Sequence, residues 1–314
     1  LGCAYVCGVT DGLPGSGPTV GGPDAFLAKY DPATAPVNVP TPVDPVNAMG
    51  WFDWVVQFGT SGYDSATTVA VDETRGRIYV AGWTEGVFPG QSSPGQSDLF
   101  LTYFDADGNQ GWVVQAGTAS DEEVRDMALD EAGNIFITGT SNEDPAETRG
   151  HGPQNGFIMA FDPDGSELWA DTKWIDSGDG HRDNPWSIAC HEGQILIGGA
   201  TDGYLGDDPA GTNVGGVDGF LRMYDAGGNV LWTDQFGTPS NDEVDAVTFG
   251  PSGELLFCGY TALDLFAPDT SGNSGFIARY GLAPTDTIPE PCTMGGLALA
   301  LAGLASHIRR RRRM

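Results

Sequence analysis

Basic residues are scarce in this 314-residue chain: 14 Lys and Arg stand against 43 Asp and Glu. Five of the 14 are the consecutive Arg309, Arg310, Arg311, Arg312 and Arg313, and no acid follows Glu290. Residues 1–290 thus carry 43 acids against nine bases, a balance of −34. A body so acidic repels nucleic acid and anionic headgroups and attracts cations or basic partners. Nucleic-acid binding is excluded. Before residue 292 there is no long apolar stretch of 3.6-residue period, which leaves little room for helices. The five cysteines form no metal-ligand spacing, and the four histidines (151, 181, 191, 307) are scattered. Cys3 and Cys7 lie beside one strand segment, about 13 Å apart when extended, too far for a disulfide. Cys190 and Cys258 fall inside strand segments and read as small apolar packing groups. The chain opens at Leu1 with no secretory apolar segment.

Glycine (47) and proline (21) are plentiful, and the sequence repeats. "RIYVAGWT" (77–84) returns as "NIFITGTS" (134–141), "QILIGGAT" (194–201) and "ELLFCGYT" (254–261), with a first copy in "CAYVCGVT" (3–10). The shared glycines, Gly8, Gly82, Gly139, Gly199 and Gly259, are spaced by 74, 57, 60 and 60 residues. A second phrase keeps step: "DAFLAKYD", "DLFLTYFD", "NGFIMAFD", "DGFLRMYD", "SGFIARYG". A third is "WFDWVVQFGT", "QGWVVQAGT", "ELWADTKWID", "VLWTDQFGT", and a fourth "TTVAVD", "RDMALD", "WSIACH", "DAVTFG". Each is a short β-branched and aromatic run bounded by Gly, Asp, Asn or Pro, hence a strand. Turn sequences such as "EAGN" and "ADGN" join antiparallel neighbours. Four antiparallel strands per unit, repeated radially, make propeller blades that bury their faces against one another.

These phrases resemble the bacterial seven-bladed β-propeller repeat family and, more distantly, NHL-type blades, over residues 3–281. The resemblance implies an all-β propeller of four-stranded antiparallel blades, with "VAVD" as inner strand a, "IYVAG" as b, "FLAKYD" as c and "WVVQFG" as outer strand d. Five units are visible, near 1–63, 64–121, 122–182, 183–241 and 242–281. They hold four a, five b, five c and four d strands. The chain opens on b and closes on c, so the ring is expected to be truncated at its N-terminus, with a longer precursor supplying the missing strands.

The long b–c connections share a face with the d–a connections, and that face is the expected place for specificity. Counting back from each a strand, Asp64, Glu122, Asp183 and Asp242 occupy one position. A circle of carboxylates near a channel mouth admits a cation site, Ca²⁺ being the candidate ion. It admits equally a set of loop caps accepting backbone N–H groups, and recurrence in every unit favours the caps. "DADGN" (105–109) and "DPDGS" (162–166) begin like calcium loops but lack the later ligands. They read as turns. Trp112, Trp169 and Trp232, with Trp54 nearby, read as blade-packing residues. "HRDNPW" (181–186) is the most irregular inner-strand entry, and no nucleophile–base pair can be assigned. No enzyme and no bound cofactor is expected.

Ahead of the C-terminus stand Pro289, Glu290 and Pro291, closing an extended linker over 282–291. Residues 292–308 follow without an acid, about 25 Å as a helix and just long enough to span a bilayer. The five arginines of the basic tail, 309–314, would stay in the cytoplasm. The three parts in this order resemble the PEP-CTERM sorting signal, with Cys292 where Ser or Thr is more usual. That resemblance implies an exosortase-type membrane protease as partner, with Pro289, Glu290 and Pro291 recognised, the apolar run held in the membrane and the arginines stopping transfer. It further implies export to the surface or matrix of a Gram-negative-type bacterium that makes exopolysaccharide. The leading expectation is a non-enzymatic binding or scaffold module at the cell surface, with Ca²⁺, a glycan, exopolysaccharide or a surface protein as candidate ligands. The alternative is a secreted polysaccharide hydrolase or lyase that uses the acidic mouth for general acid–base chemistry.

Overall fold

The computed structural model describes residues 2–12, 21–32, 52–142, 154–169, 173–177, 180–206, 212–263 and 271–280. Among these residues all regular structure is β, in eighteen strands and five antiparallel sheets. The first sheet holds β1 (Ala4–Thr10), β2 (Asp24–Tyr30) and β3 (Trp54–Phe58). The second holds β4 (Asp64–Asp72), β5 (Arg77–Thr84), β6 (Asp98–Phe104) and β7 (Gln110–Ala116). The third holds β8 (Glu122–Leu129), β9 (Ile135–Ser141), β10 (Asn155–Phe161) and β11 (Lys173–Ile175). The fourth holds β12 (Asp183–His191), β13 (Gln194–Thr201), β14 (Asp218–Asp225) and β15 (Val230–Phe236). The fifth holds β16 (Asp242–Phe249), β17 (Leu255–Leu263) and β18 (Ser271–Tyr280). The strand order is b-c-d, then a-b-c-d three times, then a-b-c, each strand paired with its sequence neighbour. Residues 281–314, with the proline motif, the apolar run and the arginines, lie outside the described residues, as does much of the b–c connections (13–20, 143–153, 207–211, 264–270).

The chain divides into two compact units, Leu1–Trp174 and Ile175–Met314. In the first, Leu27, Phe58, Val80, Phe100 and Phe104 form one apolar layer between the first two sheets. Leu99, Leu101, Ile135, Ile137 and Phe157 form the next. In the second unit Leu221, Met223, Val244, Val247 and Phe257 join the fourth and fifth sheets. Each layer draws residues from two consecutive repeats, because a sheet with two apolar faces must cover both.

The repeat's b-strand glycine has a steric cause. In every a–b pair the register shifts just after the strand begins, between Ala66 and Thr68, Val124 and Asp126, Pro185 and Ser187, and Val244 and Ala246. Such a bulge bends the a strand toward its partner. A Cβ on Gly139 would lie 2.2 Å from the Glu123 carbonyl oxygen, and one on Gly199 2.2 Å from that of Asn184. Gly8, in the sheet without a described a strand, would meet the Phe26 ring first, at 2.8 Å.

One element of the repeat departs from its expected register. Trp54, Trp112 and Trp232 each stand three residues before a d-strand glutamine (Gln57, Gln115, Gln235). Trp169 does not share their place: it precedes β11 and packs on Phe136, ring centroids 5.7 Å apart. Trp174 takes the glutamine position there. The phrase "ELWADTKWID" contains two tryptophans, and neither stands three residues before the glutamine position. Trp54 and Trp112 do join blades: Trp54 donates to the Ala106 carbonyl at 3.0 Å and covers Gly108, and Trp112 covers Gly165.

Candidate functional site

Asp64, Glu122, Asp183 and Asp242 each open an a strand, and each is almost fully buried. Their partners come first from their own d–a turn. Asp64 Oδ2 accepts the Thr60 amide at 2.7 Å and Asp242 Oδ2 the Thr238 amide at 2.6 Å. Glu122 Oε2 accepts the Thr118 amide at 2.9 Å, and Asp183 Oδ2 the Ser177 amide at 2.7 Å. The same Thr or Ser donates its hydroxyl to the carboxylate in all four turns. Three of those threonine oxygens in turn accept the amide two residues on, at Gly62, Ser120 and Ser240. The last hydroxyl of strand b completes the cap: Ser141 donates to Glu122 at 2.8 Å and Thr201 to Asp183 at 2.6 Å. Burial pushes the carboxyls of Asp64, Glu122 and Asp183 above the usual range, and these donors pull them back in part.

A second carboxylate, at the head of strand c, stands beside the first in three of the four cases. It is Asp24 beside Asp64, Asp98 beside Glu122 and Asp218 beside Asp242, all three c-strand acids fully buried. The d-strand glutamine donates to it: Gln57 to Asp24 at 2.7 Å, Gln115 to Asp98 at 2.8 Å and Gln235 to Asp218 at 3.1 Å. The glutamine also holds the b–c connection. Gln115 accepts the Phe88 amide and donates to the Gly86 carbonyl; Gln235 does the same with Leu205 and Gly203.

The glycine of the Gly-Thr turn makes this packing fit. A Cβ on Gly117 would lie 2.5 Å from both Asp98 Oδ1 and Glu122 Oε2. On Gly237 it would lie 2.2 Å from Asp218 Oδ1 and 3.1 Å from Asp242 Oδ2. Only a bare Cα can rest against such a pair.

The four carboxylates anticipated from the a strands thus serve four separate d–a turns. Among the described residues no group of three or more His, Cys, Asp or Glu comes together in a form able to hold a metal. The calcium-like turns satisfy themselves. Asp105 Oδ1 accepts the amides of Asp107 and Asn109, both at 2.9 Å, and Asp162 and Asp225 repeat the pattern. These donors hold the Asp105 and Asp225 carboxyls below the usual range. In "HRDNPW", His181 Nδ1 lies 3.2 Å from Asp202, which also accepts the Arg182 amide at 2.6 Å. The c-strand acids and the d-strand glutamines were missed from the sequence. Their signal was present: three of the second phrases begin with Asp, and three of the third contain Gln two residues before Gly-Thr.

The sequence model of the β-propeller repeat matches residues 53–89 and 111–145. The regulatory protein FlaEY of Caulobacter vibrioides is 24% identical over 189 residues, 53% of this chain but only 18% of that protein's length. Among solved structures, a polysaccharide lyase PL25 ulvan lyase is 12% identical with a TM-score of 0.41, over 82% of this chain and 61% of that one. The Bacillus subtilis arabinanase Arb43A is 12% identical with a TM-score of 0.32, over 88% and 90%. Both repeat matches run from a d strand through the Gly-Thr turn into the next a and b strands, so the chain carries the β-propeller repeat twice, with the capped carboxylate inside each copy.

Proposed function

We propose that this protein is an exported β-propeller module of the cell surface or extracellular matrix that binds or scaffolds and does not catalyse. The observation that carries the reading is the equivalent use of the four a-strand carboxylates, each engaged by the amide and hydroxyl of its own turn. A general acid or base must be reachable by substrate, whereas these groups are buried and serve their loops. What differs between repeats is the b–c connection, on the face where repeat proteins carry specificity. The acidic body favours cationic groups or cation-bridged polyanions, including exopolysaccharide with Ca²⁺. In this reading the C-terminal segment is a PEP-CTERM tail. An exosortase-type protease recognises Pro289, Glu290 and Pro291, and the apolar run with its arginines is a temporary membrane anchor.

The test pairs retention of the full chain on exopolysaccharide, with and without Ca²⁺, with turnover assays on the same polymers. Saturable retention without change in polymer length is the expected result. New reducing or unsaturated ends, abolished by substitution at an a-strand carboxylate, would overturn the reading in favour of a hydrolase or lyase.

A further inference from the structure

Two of the carboxylate pairs hold an oxygen with nothing bonded to it. Asp98 and Asp218 are fully buried, yet their Oδ1 atoms find no hydrogen-bond donor, and neither does Oδ1 of Asp242. The Asp98 and Glu122 oxygens flanking Gly117 both lie 2.5 Å from one point, so they are no farther apart than twice that. Two full negative charges this close in a dry interior repel strongly. Something positive must reside between them.

A metal ion fits poorly. Apart from Gly117 and its chain neighbours, Asp98 Oδ1 and Glu122 Oε2 are the only oxygens within 3.2 Å of that point. The cavity of about 30 Å³ behind it is lined, besides Glu122, Gly117 and Thr118, by Phe157, Met159 and Trp174. A hard divalent cation wants six or more oxygens. Nor, among the described residues, do the bases on these strands point to the pairs. Arg125, on the strand of Glu122, pairs with Glu123 at 2.8 Å. Arg222, on the strand of Asp218, turns to Thr233 and the Leu205 carbonyl. Glu243, next to Asp242, accepts from the Tyr260 hydroxyl. Facing Glu122 from strand c is Asp98, and facing Asp218 from strand a is Asp242.

The repeat supplies an independent sign. In the third sheet the c-strand position of Asp98 and Asp218 is filled by Asn155, also buried. Asn has the shape of a protonated Asp and no charge. We propose that the Asp98–Glu122 and Asp218–Asp242 pairs each hold one shared proton, and that its loss to solvent as the pH rises loosens the glutamine-anchored b–c connection above. The O–H bond is the sole bond broken, and the connection is held through Gln115 to Phe88 and Gly86 or through Gln235 to Leu205 and Gly203. Burial, with the facing acid adding to it, drives the Glu122 and Asp218 carboxyls upward. A group raised on folding contributes stability that is present below its unfolded pKa and is lost as the pH climbs through its folded one. The face that presents the variable loops is therefore firmest under mildly acidic conditions, whatever those loops bind.

The test is unfolding of the full chain between pH 5 and 9, for the wild type, Asp98→Asn, Asp218→Asn and the double variant. Across the range where one proton is bound in the folded and not the unfolded state, the wild-type folding constant should fall by roughly tenfold per pH unit per pair. Each Asn variant should remove its own pair's share and gain on the wild type as the pH rises. Amide exchange at Phe88 and Leu205, corrected for intrinsic base catalysis, should quicken with pH in the wild type and not in the matching variant. If an Asn variant does not fold, infrared spectroscopy of the wild type decides: a protonated-carboxyl band at pH 7 supports the proposal and its absence overturns it. A parallel wild-type–variant difference at every pH would show a purely packing role. Loss of wild-type stability on adding a chelator would show that a divalent cation, not a proton, sits between the carboxylates.

Discussion

Gln115→Ala tests whether the glutamine, and not the apolar layer alone, fixes the b–c connection of the second sheet. The Gln115 side chain is buried and makes three hydrogen bonds: it accepts the Phe88 amide at 3.0 Å and donates to the Gly86 carbonyl and Asp98 Oδ2 at 2.9 and 2.8 Å. Truncation strands all three partners. A buried polar group left without a partner costs about 1–3 kcal/mol, one of these partners being a carboxylate. Water entering the space made by the lost side chain recovers part of that, so the net loss should be about 3–5 kcal/mol. Urea unfolding followed by tryptophan fluorescence measures it, with an unchanged denaturant slope confirming that stability and not the unfolded state has moved. Gln110→Ala is the control: an exposed strand end with one 3.3 Å bond to Thr102, where a change within about 0.5 kcal/mol is expected. Limited proteolysis should cut the variant between residues 85 and 97 far faster than the wild type. A loss below about 1 kcal/mol, or unaltered cleavage there, would refute the reasoning. Phe88, buried in the apolar layer, would then hold the connection by itself.

Gly139→Ala should cost about 1–3 kcal/mol by overpacking, because the new methyl meets the Glu123 carbonyl at 2.2 Å and the Phe157 ring at 2.7 Å. Gly8→Ala should cost less, since a ring edge yields more readily than a backbone; equal losses on thermal unfolding would contradict the role given to the bulge. Arg77→Ala removes an ion pair with Asp164 at 3.1 Å, a bond to the Pro163 carbonyl and a 4.6 Å cation–π contact with Tyr103. With Asp164 largely exposed, the ion pair adds little, so the expected loss is about 1 kcal/mol by urea unfolding and should shrink only slightly in high salt. A strong salt dependence would assign the effect to the charge pair.

The repeat was legible because its signals are local. Strand runs of period two and turns such as Asp105–Asn109 act over a few residues, the return of Gly82, Gly139, Gly199 and Gly259 sets the period, and the strand order b-c-d, a-b-c-d, a-b-c follows from counting them. The a-strand carboxylates were visible for the same reason, since their caps lie four to six residues away in the chain. The tryptophan register in the third repeat was not, because Trp169 packs on Phe136 ahead of β11 while Trp174 takes the place of the d-strand glutamine.

By itself the sequence determined strand identity, order and turn chemistry, all consequences of backbone sterics and side-chain alternation between near neighbours. Tertiary structure alone decided that Asp98 would meet Glu122, 24 positions on, and Asp218 would meet Asp242, each pair beside a glycine that leaves no room for a Cβ. Burial of two like charges at one junction depends on how consecutive sheets stack, and no local pattern records that distance.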